Sequence, residues 1–542
     1  MAWAVQLPAW ALATGTVLFC FLLRYLTTPA SAGTANADVW ENVATVGVGR
    51  GGSRLSWGLA IIRSLWSLQS TVREGYYSFS KKNKPFALPT MWTGGALLVL
   101  PPSMLHLLNR PRDELSSFGA LLENAQFQYL MTDRDVYANT IHFDIVRKDL
   151  APKNMAGLAA VMAEEWDGAF GACWGRNTKE ERVVNAWDSM VRIIARVALR
   201  IMVGLPGCRD EAYLERSRLY ANAVLVDACF INSVPPAFRP VVAPLMALRT
   251  KYHQRKLMAI LVPLVEERIQ QHRRQPKDTK QHEPAGHHDV GDVIQWLIRV
   301  AENHGPDQLT SEKIATRILA LTSMFVFAIG WVFVHAVLDI YCAPAEDGVV
   351  AALQAECASN LDSLYTKEGT DALYRLDSAV RESMRLNDVM VHLLPLDVLA
   401  GAGIDLGNGT RVTAGSGVRT VFPARMVHMD ADLYPDPNRF DAFRFSREFE
   451  GSESSSTGNG TTTRTRKLMT SVTTDFLPFG YGRHACPGRW FVAHMVKQGV
   501  AYMLLNYDVQ VTKRPGKKRA LLNFMMPPEA AEMRVRRKAA AL

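Results

Sequence analysis

The sequence predicts a mainly α-helical protein with small β-sheets, built as one large domain behind a single N-terminal transmembrane helix. Three observations carry this expectation. Long stretches such as Asn185–Val203 and Leu245–Gln271 repeat apolar residues at helical spacing. Strand signals are short, as in "REGYYSFSKKNKPFALPTMWTGGALLVLPPSMLHLLN" (73–109), which reads as a helix, two short strands and a second helix opened by Pro-Pro. Finally, Ala2 to Leu23 carries no charged side chain and ends at Arg24. About 22 residues rising 1.5 Å each are enough to cross a bilayer core.

The N-terminal run has a competing reading as a cleaved signal peptide, because Ala30-Ser31-Ala32 resembles a cleavage site. The absence of a basic leading region and the length of the run favour an uncleaved anchor. The domain plan is therefore an anchor at 2–24, a linker rich in Ala, Thr and Gly at 25–50, and a catalytic domain at 51–542. Further along, "HRRQPKDTKQHEPAGHHD" (272–289) reads as a solvated loop, since nothing holds its histidines in ligand spacing. "SEKIATRILALTSMFVFAIGWVFVHAVLDIY" (311–341) is almost continuously apolar. Lys313, Arg317, His335 and Asp339 bracket its uncharged part too closely for a comfortable second span, and Ser311 with Glu312 opens it like a helix cap. A long helix buried through a large domain fits better. "GSESSSTGNGTTTRTRK" (451–467) is low in complexity and reads as a surface insertion. Asn408 and Asn459 sit in glycosylation sequons, which a chain this long also produces by chance.

Composition narrows the function. The formal net charge is +9, from 61 Lys and Arg against 52 Asp and Glu. This diffuse excess argues against nucleic acid as a partner and fits an anionic membrane surface or an acidic protein. Seven cysteines are scattered without paired spacing, which suits a reducing compartment and excludes a disulfide framework or a zinc cluster.

One cysteine has specialised surroundings. In "FLPFGYGRHACPGRWF" (476–491), Phe479, Gly482, Cys486 and Gly488 stand at offsets 0, +3, +7 and +9. Gly482 suits a tight turn with positive φ, and Gly488 lets the backbone approach something flat and bulky. "RWFVAHMVKQGVAYMLL" then reads as an amphipathic helix, so Cys486 lies at a helix N-terminus that stabilises a thiolate. Such a sulfur is a nucleophile, with His484 as a nearby base, or a soft metal ligand.

The spacing Phe-x-x-Gly-x-x-x-Cys-x-Gly resembles the haem-binding loop of the cytochrome P450 family, and "FGYGRHACPG" looks like its filamentous-fungal form, of the kind met in secondary-metabolite monooxygenases. Two further motifs follow the family's order. "DSAVRESMRLN" (377–387) contains Glu382-x-x-Arg385, and "YPDPNRFDAFRF" (434–445) brings Phe440 and Arg444-Phe445. The resemblance implies the cytochrome P450 fold and haem b as cofactor, with the Cys486 thiolate as axial iron ligand. It implies haem contacts at Phe479, Gly482, His484 and Gly488, with His484 where relatives more often carry Arg. Glu382, Arg385 and Arg444 would form a buried structural triad behind the loop. In "HFDIVRKDL" (142–150), Arg147 would bind a haem propionate, with Phe143 where many relatives have Trp; an exposed helix arginine is the equal alternative. Val389–Leu396 and "LNFMMPP" (522–528), with Met525 and Met526, match substrate-contacting regions.

The family implies a membrane-anchored monooxygenase on the cytosolic face of the endoplasmic reticulum, single-pass, oxidising a lipophilic small molecule of terpenoid or polyketide type. Electrons would come from NADPH through cytochrome P450 reductase, docked near Arg483, Arg489 and Lys497; an ordinary surface charge is the equal alternative for each, and a haem contact for Arg483. Two departures stand out. Neither acid nor hydroxyl lies between Met324 and Val334, where relatives carry an acid or amide beside a threonine, so the catalytic residues are not identified. Where relatives often place another propionate-binding arginine, this chain has "LPLDV" (394–398), with His392 as a possible substitute. The apolar Phe325, Phe327, Trp331 and Phe333 favour a hydrophobic substrate. A haem-thiolate isomerase or dehydratase needing no external electrons stays open, as does a haem-binding protein without catalysis.

Overall fold

The computed structural model describes residues 37–49, 53–92, 95–274, 291–407, 409–450 and 466–539. The expected anchor, half of the linker, the histidine-bearing loop beyond Arg274, most of the insertion before Arg466, and both sequon asparagines lie outside the described residues.

Helices dominate, and the strands are short, as the sequence implies. The helix Ala186–Val203 begins where its apolar pattern does, because the Asn185 side chain accepts a hydrogen bond from the Asp188 N–H at 2.8 Å. The expected 245–271 helix runs Leu248–Arg274, preceded by a separate short helix, Arg239–Met246. The segment opened by Pro-Pro forms a 3-10 helix, Pro102–Asn109.

The central helix spans Ser311–Cys342, and its cap is Thr310 rather than Ser311: Thr310 Oγ1 accepts from the Lys313 N–H at 3.3 Å. Among the described residues it is the one unbroken helix long and apolar enough to cross a membrane. It is mostly buried inside the protein, the arrangement expected of a helix apolar on every side. The helix Arg489–Asn506 departs from expectation. It is buried almost all round instead of amphipathic, because five helices and the strand Tyr507–Lys513 pack against it. A Cβ on Gly499 would come within 2.8 Å of Trp166 and 2.9 Å of Phe333, so this glycine permits the close crossing with the central helix and with Met155–Trp174.

The largest sheet has five strands in the order Phe86–Thr90, Gly95–Val99, Arg419–Phe422, Leu393–Val398 and Leu115–Ser116. The first pair is an antiparallel hairpin, and Gly95–Val99 pairs parallel to Arg419–Phe422. Tyr507–Lys513, Glu532–Arg537 and Arg182–Asn185 form a second sheet, tying the C-terminal strands to the start of the Ala186–Val203 helix. The main core fills the space between the helices, and a second core lies under the five-stranded sheet. The segment Phe476–Gly488 runs between these two cores, with Phe476 in one and Leu477 in the other.

Candidate active site

The thiol loop owes its shape to two glycines and one backbone bond. Gly480 and Gly482 adopt φ of 79° and 58°, and the Cys486 N–H donates to the Phe479 carbonyl at 2.7 Å, closing the turn. Gly482 also lies against the chain at Leu108 and Asn109: a Cβ there would stand 2.5 Å from Asn109 Oδ1 and 2.8 Å from the Leu108 carbonyl. Gly482→Ala therefore combines a left-handed backbone costing about 1–3 kcal/mol with a steric clash. The expected outcome is a lower melting temperature and reduced haem content in the purified protein. Wild-type values of both would overturn this account of the loop.

Cys486 borders a cavity of about 420 Å³, within the range of small-molecule and cofactor sites. The loop supplies one wall through Phe479, His484, Cys486 and Gly488. Leu321, Phe325, Ala328, Ile329 and Val332 of the central helix supply another, at the three- and four-residue spacing of a single helix face. Phe143 and Val146 contribute from Ile141–Lys148. A smaller compartment of about 140 Å³ adjoins it and shares Leu121, Phe143 and Met324. Its lining adds Phe127, Phe327, Met390 and Phe524. Of the four aromatics singled out on the central helix, Phe325 and Trp331 thus border the first compartment and Phe327 the second, while Phe333 is core.

Burial pushes the Cys486 thiol up from its ordinary value, while the Gly488 N–H and Arg489 pull in the opposite direction. The helix-terminus effect expected from the sequence is present but outweighed by desolvation. The surroundings fit haem. Among the described residues no group of three histidine, cysteine or carboxylate side chains gathers as metal ligands, so a metal on this lone sulfur would bring its other donors with it, as a porphyrin does. A Cβ on Gly488 would project between Phe325 and Val146, 3.6 Å from each, and its absence leaves the space for a flat group.

The polar edge of the cavity is at His484. Its Nδ1 lies 2.9 Å from Ser117 Oγ, and its buried Nε2 has no partner among the described residues. Burial and then the charge of Arg112 push the imidazole pKa down. Arg112, close in charge to Arg147 and Arg483, donates to the Arg483 carbonyl. Arg147 itself is half-exposed and paired with Asp144 at 2.7 Å; it lies outside the cavity lining that Phe143 and Val146 of its own helix provide. Arg112 was not anticipated. It sits in a loop 371 positions from its partner, and no motif marks it.

Behind the loop, the Arg385 Nε and Nη2 donate to the two Glu382 carboxylate oxygens at 2.8 Å each, both side chains fully buried. Arg444 Nε donates to Glu382 Oε1 at 3.0 Å. Arg385 Nη1 also donates to the carbonyls of His428 and Pro437 at 2.6 and 2.8 Å. A second buried bracket, absent from the sequence reading, lies alongside. His428 Nε2 accepts from the Leu477 N–H at 2.8 Å, so its proton is on Nδ1, which donates to Asp388 Oδ1 at 2.7 Å. This pins the start of the thiol loop to the end of the helix Tyr374–Leu386.

Other expected positions fall elsewhere. Lys497 is buried and paired with Asp377 at 3.4 Å, which removes it from any docking face. Arg483 is exposed, while Arg489 is partly buried, stacks 3.6 Å over Trp490 and donates to the Cys486 carbonyl. Met525 is core and Met526 is exposed; their neighbour Phe524 lines the smaller compartment. His392 is buried beside Asn523, outside both cavity linings.

Comparison with known proteins adds three findings. The family model described as cytochrome P450 matches residues 162–535. The cytochrome P450 monooxygenase gloP of Glarea lozoyensis is 31% identical over 545 residues, covering 97% of this chain and 96% of its own, and htyF of Aspergillus rugulosus is 33% identical, covering 84% and 66%. Among solved structures, the haem domain of cytochrome P450DA superposes with a TM-score of 0.60 over 92% of this chain and 98% of its own; at 15% identity this is a likeness of fold.

Proposed function

The chain belongs to the cytochrome P450 family, and from that premise we propose that Cys486 would hold the iron of its haem in an enzyme that oxidises a lipophilic small molecule. Cytochrome P450 monooxygenase activity and haem with a cysteine thiolate ligand follow from family membership. The observation that carries the rest is the thiol and an apolar helix face lining one cavity, with an almost wholly apolar second compartment adjoining it.

Bound against Cys486, haem supplies the activation of molecular oxygen. The chain's own residues do the remaining work. Phe325, Ala328, Ile329 and Val332 cover the reacting side and exclude water. Phe127, Phe327, Met390 and Phe524 hold an apolar substrate next to it, a chemistry suited to a terpenoid or polyketide of fungal secondary metabolism. His484 Nε2, with Arg112, Arg147 and Arg483 nearby, offers donors and positive charge for the haem propionates. Phe479, Gly482 and Gly488 shape the loop, and Glu382, Arg385 and Arg444 hold the scaffold behind it.

The setting we propose is the endoplasmic reticulum membrane, with the catalytic domain cytosolic and electrons delivered from NADPH through a reductase. Support comes from exposed apolar side chains on two neighbouring elements. Leu55, Leu59 and Trp66 lie on Arg54–Ser78, and Phe230, Val241, Leu245 and Leu248 lie around the bend after Glu211–Asn232. Both elements share a small core through Ile61, Leu65, Leu225 and Cys229. A surface of this kind suits the bilayer interface.

A second reading is favoured by one observation: the central-helix face over the cavity has no acid or hydroxyl between Met324 and Val334. That is the pattern of an isomerase or dehydratase that takes no external electrons. A carbon monoxide difference spectrum on fractionated cells, reduced with dithionite or with NADPH and reductase, separates the two. A thiolate-type band in the membranes under both reductants supports the monooxygenase. A band with dithionite alone, together with NADPH-independent turnover, identifies the alternative, and a band in the soluble fraction removes the anchor.

A further inference from the structure

The cavity has a second polar margin, and it leads to the surface. On the central helix, His335 borders the cavity and packs against Trp331 in a tilted ring pair with centroids 4.6 Å apart. One turn on, the largely buried Asp339 Oδ2 accepts from Ser383 Oγ and Asn387 Nδ2, both at 2.6 Å. Ser383 and Asn387 are themselves cavity-lining residues, so a single side chain separates the carboxylate from the cavity. On the far side stands Lys518. Its residue is exposed, yet its ammonium turns inward, close in charge to Asp339, and donates to the Leu386 carbonyl at 3.1 Å. An acid, a hydroxyl and an exposed lysine thus run from solvent to the cavity wall, although the central helix lacks acid and hydroxyl over the cavity itself.

We propose that Asp339, with Ser383, Asn387 and Lys518, is a proton-binding site coupled to the redox state of the iron held by Cys486. The proposal rests on the haem-thiolate reading. One electron enters from an external donor, and one proton from solvent converts the Asp339 carboxylate to the carboxylic acid; no bond to the metal forms or breaks. The added negative charge in the cavity raises the proton affinity of a carboxylate one side chain away, and low local dielectric strengthens the coupling. Burial already holds the Asp339 carboxyl above its usual range; Lys518, Ser383 and Asn387 oppose that shift and Glu382 adds to it. His335 does not compete for the proton at neutral pH, because burial, with Lys518 and Arg425, lowers its pKa to about 3. Burial likewise weakens the hold of Lys518 on its own proton.

The sign follows from linkage. Between the pKa of Asp339 in the oxidised protein and its higher value in the reduced protein, reduction takes up a proton, so the midpoint potential falls as pH rises. For a one-electron couple, each tenfold gain in proton affinity on reduction separates the acid and alkaline limits by about 59 mV. Spectroelectrochemical titration of the haem-loaded protein from acid to neutral pH reads this directly. The wild type is expected to show the slope, and Asp339→Asn to lose it. Lys518→Gln, at an exposed position, should move the sloping region to higher pH, because removing the cation raises the carboxyl further. Infrared difference spectra should show a protonated carboxyl appearing on reduction in the wild type and not in Asp339→Asn. A flat wild-type profile, an unchanged slope in Asp339→Asn, or an unmoved slope in Lys518→Gln overturns the proposal. Failure of the underlying reading is distinct: the wild type would then lack the thiolate-type carbon monoxide band.

Discussion

Cys486→Ala is expected to abolish the thiolate-type carbon monoxide band and all turnover, while the chain stays folded. Cys486 is the one thiol bordering the cavity among the described residues, so no neighbouring side chain supplies a thiolate in its place. The backbone bond that closes the loop, from the Cys486 N–H to the Phe479 carbonyl, does not involve the side chain, and alanine keeps the conformation. Far-ultraviolet circular dichroism and thermal unfolding of the apoprotein should match the wild type closely, so loss of the band reports ligation rather than collapse. A wild-type spectrum in the variant would remove Cys486 as the ligand and with it the proposed site.

Glu382→Ala should have the second largest effect, through stability instead of chemistry. It strands the Arg385 guanidinium, fully buried, with its Nε and Nη2 unpaired and only Nη1 still bonded to carbonyls. Breaking a buried pair from one side costs about 3–5 kcal/mol. Urea unfolding of the haem-loaded protein should register that loss, together with weaker haem retention. Arg444→Ala should cost less, because Arg444 is partly exposed and makes one bond to Glu382. The double variant Glu382→Ala/Arg385→Ala should cost less than the two single changes added, since no charge is left alone. Additive losses, or a change in reaction rate without a change in stability, would contradict a structural role.

The motifs were legible because each depends on chemistry that few residues supply. A turn with positive φ beside another chain segment needs Gly482, a soft ligand needs Cys486, and a bidentate pair one helical turn apart needs Glu382 and Arg385. The helices were legible from periodicity, and the burial of Ser311–Cys342 from its apolar residues on all sides. Long-range partners left no such trace. Arg112 reaches the loop across 371 positions, and His428 meets Leu477 and Asp388 from a third segment. Direction was equally hidden. Lys497 read as a cation for docking a reductase, yet it is buried and paired with Asp377.

The sequence by itself determined the helical class, the thiol loop and the charged pair behind it, because local backbone geometry and nearest-neighbour pairing suffice to specify them. Only the tertiary structure decided which cations face the cavity, which aromatics line it, and that Asp339 lies one side chain from it. Those outcomes depend on how helices distant in sequence cross, and crossing is set by the packing of whole faces, which no single residue encodes.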